Sequence, residues 1–299
     1  MSLRLQMLQV ARLAPRVLDN ATELVAAFLK SQQNPDGGFR DKSGGSDLYY
    51  TVFGLDASLA LQVDLDKELL RSYLAGFGEG GELDFVHLCS LIRCRSIAGL
   101  EGNQVAVLSA RLATFRAQDG GFNPKTGAAV STVYANFLAY AAYQVLGQVV
   151  PDVLKMVQSF KHLETEGSWA NERHVKTGAT PATAAAVSVL HDQGMPISDD
   201  VSQWLVSRLH PMGGFLAAPQ APVPDLLSTA TALHALAGLE VPFKPFKEHC
   251  LDFIDSLWTN EGSFYGHWQE ETLDCEYTYY ALLALGHLSV GNGRFPAET

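Results

Sequence analysis

A short turn that closes on an aromatic residue recurs along the chain, and this periodicity constrains the fold more than any single motif. The copies are Gly37-Gly38-Phe39, Gly120-Gly121-Phe122, Gly167-Ser168-Trp169, Gly213-Gly214-Phe215 and Gly262-Ser263-Phe264. Their aromatics are spaced by 83, 47, 46 and 49 residues, and Gly80-Gly81 marks the middle of the long interval as a copy without its aromatic. Six units result. Self-similarity at such a period signals helical hairpins, each too small to bury its apolar face alone, stacked on their neighbours.

Each turn lies between two different helical patterns. Upstream are amphipathic segments (Glu23–Ser31, Val107–Ala117, Val153–Leu163, Val201–Leu209, Cys250–Trp258) with apolar residues at helical spacing beside charges. Downstream are segments apolar on nearly every face: Leu48–Leu61, Phe85–Ile97, Thr132–Leu146, Pro181–Leu190, Leu226–Leu239 and Cys275–Leu288. A helix of the second kind must be covered all round. Two concentric rings satisfy both patterns, with the polar-faced helices outside. The aromatic of each turn is expected to anchor it against the next unit. Asp47, Asp84, Ser131, Thr180, Asp225 and Asp274 each precede an inner helix as an expected N-cap, so six helix N-termini and their N–H donors are expected at one rim.

Composition narrows the partners. With 21 Lys and Arg against 32 Asp and Glu the net charge is −11, which argues against nucleic acid or an anionic membrane surface. Hydrophobic residues at 47% supply a large core, and no linker divides the chain, so residues 1–299 are expected to form one domain. The most apolar stretch, residues 131–150, is interrupted by Asn136, Gln144 and Gln148, so no membrane span is expected. Cys89, Cys94, Cys250 and Cys275 form no paired framework, and the first 33 residues lack a secretory pattern; both point to the cytoplasm.

The segments Ser31–Phe39 and Asp47–Leu55 resemble the repeats of protein prenyltransferase β subunits, especially the geranylgeranyl type. They are also similar to the repeats of squalene and terpene cyclases. The resemblance spans about residues 21–290. It implies an all-α fold, an α/α toroid with an apolar central cavity for an isoprenoid. In the transferases it also implies a catalytic zinc and a helical partner subunit.

The zinc ligands do not carry across. Where the fifth inner helix of the family starts Asp-x-Cys, this chain has Asp225-Leu226-Leu227, and Tyr277 stands at the family's His position. Leu cannot ligate zinc, so no metal or other cofactor is expected. The family's basic residues in the fifth unit are replaced by residues 216–222, which carry no charge. A diphosphate would then fall to Arg173, His174 and Lys176 in the fourth unit.

Terpene cyclases of class II protonate their substrate with an Asp of a DxDD-type motif, absent here. Asp274-Cys275-Glu276 is the nearest pattern, with Glu276 in the position of the central acid. Asp274, Glu276 and Asp225 are the candidate catalytic groups, although the ordinary reading of Asp274, Asp225 and Asp47 is capping, and that of Glu276 a first-turn acid stabilised by the helix dipole. His87 reads as a hydrogen-bonded core histidine. Tyr49, Tyr50, Phe53, Tyr134, Phe137, Tyr277 and Tyr280 are the candidate cavity-lining aromatics. The leading expectation is an isoprenoid-handling protein of prenyltransferase type without the family zinc. The alternatives are a cyclase-like enzyme with an Asp/Glu acid, or a non-catalytic toroid binding a lipid in its cavity or a protein on its outer helices. The open polar cleft of toroidal polysaccharide lyases has no counterpart in the pattern.

Overall fold

The computed structural model describes residues 1–100 and 102–290; the expected single domain over 1–299 also includes residue 101 and residues 291–299, which lie outside that set. Three N-terminal helices come first: α1 (Leu3–Ala11), α2 (Pro15–Leu18) and α3 (Ala21–Gln32). The two-residue strands β1 (Phe39–Arg40) and β2 (Ser46–Asp47) lead into α4 (Leu48–Ala60). Then follow α5 (Lys67–Ala75), α6 (Phe85–Ala98), α7 (Gly102–Ala113) and α8 (Val133–Val145). After α9 (Val153–Ser159) a 3₁₀ turn, Phe160–His162, takes over its last part, and β3 (Glu164–Thr165) with β4 (Ser168–Trp169) precedes α10 (Thr180–Asp192). The chain ends its described part with α11 (Asp199–Val206), β5 (Phe215–Leu216), β6 (Pro224–Asp225), α12 (Leu226–Gly238), α13 (Lys247–Asp255) and α14 (Cys275–Val290).

The apolar helices pack in one closed cycle, α4–α6–α8–α10–α12–α14 and back to α4. The amphipathic α3, α5, α7, α9, α11 and α13 lie outside them. Composition explains the division: α4 leaves ten of its 13 residues buried, whereas α5, KELLRSYLA, buries only Leu70 and Leu74. The double ring is therefore an all-α toroid, as the two helical patterns require.

The turn is built differently from the sequence-based expectation. Its aromatic packs on the inner helix of its own unit: an added Cβ at Gly54 of α4 would lie 2.2 Å from the Phe39 ring. It also pairs with the N-cap residue, Phe39 opposite Asp47 and Phe215 opposite Asp225. The contact with the next unit falls to the glycine instead. A Cβ at Gly37, Gly120, Gly167 or Gly213 would run into α5, α9, α11 or α13 respectively. Gly262 completes the circle against α3, where a Cβ would sit 2.2 Å from the Leu24 carbonyl oxygen.

Gly262 also has φ +86, a conformation that costs a side chain about 1–2 kcal/mol. Gly262→Ala is expected to lower stability by at least about 2 kcal/mol, because strain and backbone overlap act together. Gly81→Ala, with nothing within 4 Å of its added Cβ, should stay within about 0.5 kcal/mol. Urea unfolding midpoints at an unchanged slope measure the difference; equal midpoints would contradict ring closure at Gly262.

A second recurrent contact ties turn to helix. The side chain four residues after each cap accepts the aromatic's buried N–H: Phe39 N to Thr51 Oγ1 at 2.9 Å, Trp169 N to Thr183 Oγ1 at 3.0 Å and Phe215 N to Thr229 Oγ1 at 2.9 Å. Asn136 Oδ1 takes the N–H of Phe122 at 2.6 Å, and Thr278 reaches Ser263 instead. The unit of Gly80, which has no aromatic, has Leu88 at this position. Thr229→Val leaves the Phe215 N–H unsatisfied and should cost about 1–3 kcal/mol in the same unfolding assay; no measurable loss would show that the bond contributes nothing.

Candidate functional site

The first turns of the inner helices form one rim. Asp47 Oδ1 accepts from Tyr49 N and Tyr50 N, and Asp84, Asp225 and Asp274 cap α6, α12 and α14 through His87 N, Ser228 N and Tyr277 N. Two expected caps shift. Thr132 rather than Ser131 caps α8, through Ala135 N. α10 has Ala179 at the cap position, and the Thr180 hydroxyl donates sideways to Leu216 O instead. In both cases the preceding chain pairs with its own turn, Ala179 N with Trp169 O and Thr132 N with Phe122 O, which fixes the cap one residue from the expected place.

Three of the six helix N-termini at the rim are engaged by the loops of neighbouring units. Val133 N donates to Asn171 O, Thr180 N to Ala217 O and Leu226 N to Gly266 O, so loops of the following unit consume the leading N–H of α8, α10 and α12. Tyr134 N is taken by Asn171 Oδ1 at 3.0 Å. Arg173, His174 and Lys176 lie exposed on the loop that continues from Asn171, and none of them lines the cavity. On the side of α8, α10 and α12 the donors expected to converge on an anion are thus spent inside the fold.

Within the ring lies a cavity of about 540 Å³. One wall is made of small residues of α10, Ala182, Ala184, Ala185 and Ser188, and the facing wall of Tyr49, Tyr134, Phe137 and Tyr280. The alanines leave the space and the rings bound it. Leu227, Thr231 and His234 of α12 complete the side. Met7 of α1 also contributes, and α1 packs on α4, α8 and α14. Burial drives the His234 imidazole down to about 4, so it is neutral at pH 7, and it meets His287 at 3.1 Å. A narrower chamber of about 60 Å³ shares Met7, Tyr49, Tyr134, Phe137 and Tyr280 with the main cavity and adds Phe53, Arg4 and Arg93.

Of the aromatics singled out in the sequence, Tyr49, Tyr134, Phe137 and Tyr280 line the main cavity and Phe53 the narrow chamber. Tyr50 and Tyr277 stand at the rim outside both. The signal for Met7 and Arg4 was weaker, since nothing in a lone N-terminal helix announces that it meets the inner ring, and Arg93 was passed over on the inner helix α6.

The acids separate into a cap and a buried carboxyl. Asp225 Oδ1 and Oδ2 hold Ser228 N and Oγ at 2.7 and 2.8 Å, and burial raises its pKa. Asp274 is 1% exposed; Lys42 stands 3.7 Å from its Oδ2, bonds Glu270 at 2.7 Å and lies over the Tyr277 ring. Burial raises Asp274 as well, against the Tyr277 N–H bond and the Lys42 charge. Glu276 is pushed up to about 7, first by burial and then by the Asp274 charge. The Tyr49 hydroxyl donates to Glu276 Oε1 at 2.6 Å and opposes that shift. Glu276 is therefore half protonated near neutrality and sits behind a ring of the cavity wall. His87 bridges Asp47 and Asp84 at 3.0 and 2.9 Å, a fully engaged imidazole.

The donors at the family's zinc position do not suit the metal. Leu227 presents only carbon to the cavity, Asp225 is occupied by Ser228, and the Cys275 thiol is fully buried with its pKa pushed up by that burial. Among the described residues no three His, Cys, Asp or Glu side chains converge. No described helix is long and apolar enough to cross a membrane.

Solved structures share this architecture. Protein geranylgeranyltransferase-I of Candida albicans, solved with GGPP, matches 87% of this chain and 89% of its own at a TM-score of 0.62 and 12% identity. A variant of the type II terpene cyclase MstE from Scytonema, in complex with geranylgeranyl dihydroxybenzoate, matches 93% of this chain and 98% of its own at 0.61 and 14% identity. A polysaccharide lyase matches 93% of this chain and 97% of its own at 0.55 and 11%. No curated protein matches the sequence significantly. The family model described as the prenyltransferase alpha-alpha toroid domain matches residues 5–71 and 182–293, and the chain belongs to that family.

Proposed function

We propose that the protein is an enzyme that holds an isoprenoid in the central cavity and protonates it from Glu276 through the Tyr49 hydroxyl, which passes its own proton to the ligand and takes the carboxyl's in return. The observation that carries this reading is the Glu276–Tyr49 pair: a carboxyl titrating at about 7, bonded at 2.6 Å to a hydroxyl whose ring lines the apolar cavity. A cavity of this size falls in the range of about 300–1,000 Å³ typical of small-molecule sites, and its lining suits a branched hydrocarbon.

The acid's strength selects the substrate function. Each pKa unit is worth about 1.4 kcal/mol, so a carboxyl near 7 is a weak proton donor for an unactivated alkene. It matches an oxygen, such as that of an epoxide, whose C–O bond breaks as the proton arrives. The electron pair of a neighbouring alkene then closes a ring, and loss of a proton ends the reaction in an isomer of the substrate. The faces of Tyr134, Phe137 and Tyr280 would stabilise the intervening cation. Transfer from a diphosphate has less support, because the leading N–H groups of α8, α10 and α12 are engaged, Arg173, His174 and Lys176 do not line the cavity, and Lys42 is already bonded to Glu270.

Ala185→Trp fills the small-residue wall. It is expected to weaken geranylgeraniol binding at least tenfold in a fluorescence titration, without loss of thermal stability, because the ring enters space that is already empty. Unchanged affinity would place the ligand elsewhere.

A further inference from the structure

The narrow chamber carries an imbalance of charge. Arg4 of α1 and Arg93 of α6 both line it, and both are paired with Asp56 of α4. Arg4 Nε and Nη2 take Asp56 Oδ1 at 2.9 and 2.6 Å, and Arg93 Nη2 takes Oδ2 at 2.8 Å. Asp56 is fully buried, so both its oxygens are committed. Two guanidinium groups thus share one carboxylate. No Asp or Glu lines either chamber, and Arg93 Nε has no hydrogen-bond partner. The Ser90 hydroxyl, which also lines the chamber, is turned to Val86 O.

Unbalanced charge in such a place is costly. A buried ion whose partner is incomplete carries an uncompensated desolvation penalty, and a fold retains it where something completes the set. Arg93 lies eight residues beyond Phe85, so at 1.5 Å per residue it stands about 12 Å below the rim. The chamber of about 60 Å³ holds the equivalent of about four water-sized spheres, enough for a planar group with two oxygens. Guanidinium forks match such a group bidentately.

We infer that the narrow chamber is a subsite for a carboxylate on the isoprenoid ligand, the fourth charge of a two-by-two cluster with Arg4, Arg93 and Asp56. This rests on the isoprenoid reading of the main cavity and deepens it. The substrate class becomes a polyprenyl chain with an acidic end lodged deep and its reactive oxygen toward Glu276. The same surplus positive charge disfavours a carbocation at the deep end, which keeps cation chemistry on the rim side.

The test compares geranylgeranoic acid with geranylgeraniol by titration calorimetry at pH 7.5. The acid is expected to bind at least tenfold more tightly to the unmodified protein. Arg93→Gln leaves Arg4 and Asp56 as a balanced pair, and should cut acid affinity at least tenfold while the alcohol stays within threefold. If Arg93→Gln does not fold, Arg4→Gln, which leaves Arg93 with Asp56, should give the same loss. Alcohol binding with no preference for the acid, or a preference that survives the substitution, overturns the subsite and leaves the cavity reading standing. Binding of neither compound overturns both.

Discussion

Glu276→Gln is expected to cut turnover at least about 100-fold and, above pH 7, to make the protein more stable than the wild type. The amide is isosteric and still accepts from the Tyr49 hydroxyl, so the wall of the cavity is kept. What it removes is the proton. Loss of a positioned general acid costs about 10²–10⁴-fold in kcat, and affinity for geranylgeraniol should change less than threefold. In the wild type, activity should fall as pH rises through about 7, as the carboxyl ionises. The stability effect has the opposite sign from that of a paired carboxylate. The folded protein holds the Glu276 proton up to about pH 7, while the unfolded chain releases it near 4.5, the ordinary value for the side chain. Between those values the folded state binds more protons, so stability falls as pH rises, by on the order of 3 kcal/mol in total. Glu276→Gln lacks this loss. Melting curves at pH 5 and pH 8 measure it: a variant that gains nothing on the wild type at pH 8 would mean that Glu276 is ionised in the fold and is not a neutral acid.

Asp56→Ala should be the most destabilising polar substitution in the inner ring. It leaves Arg4 and Arg93 facing each other across α1, α4 and α6 without a counter-charge. Removing one partner of a buried pair costs about 3–5 kcal/mol, and here one carboxylate serves two cations. At about 2–4 °C per kcal/mol the melting temperature should drop by roughly 10 °C. The bond from Leu3 N to Gln144 Oε1 and the one from Gln6 Nε2 to Asp192 also hold α1, so its release should follow rather than precede the main transition. Faster proteolysis within residues 3–11 at temperatures below the melt would contradict that order. Asp56→Ala/Arg93→Met should recover part of the loss, since it leaves one uncompensated cation, Arg4, in place of two.

The turns and the two kinds of helix were legible because they rest on local chemistry: glycine at a close approach, an acid at a cap, apolar residues on every face. The Thr or Asn four residues after the cap was equally local and equally periodic, at Thr51, Asn136, Thr183, Thr229 and Thr278, and its signal was in the sequence. It lay hidden because a threonine in the first turns of a helix has many ordinary reasons to be there. Ser131 and Thr180 misled for the same reason, being good capping types one residue from the pairing that decides. The acids at the rim were found as capping patterns, but that Glu276 meets Tyr49 across 227 residues is a property of the closed ring. Asp56 offered a usable clue, as the one charged residue of an otherwise apolar α4, and such a charge must have a partner; Arg93 shares α6 with Arg95 and stood out less. What the pattern could not supply was Arg4, which reaches them only because α1 packs against the inner ring.

Proton delivery from Glu276 through Tyr49 to an isoprenoid in the cavity is open to a direct test. The most direct measurement incubates the protein with the terminal epoxide of geranylgeraniol and analyses the extract by gas chromatography with mass detection. The account predicts a new product of unchanged mass and altered retention with the wild type, and none with Glu276→Gln. Equal product from both proteins, or bound epoxide that the wild type never converts, would contradict it.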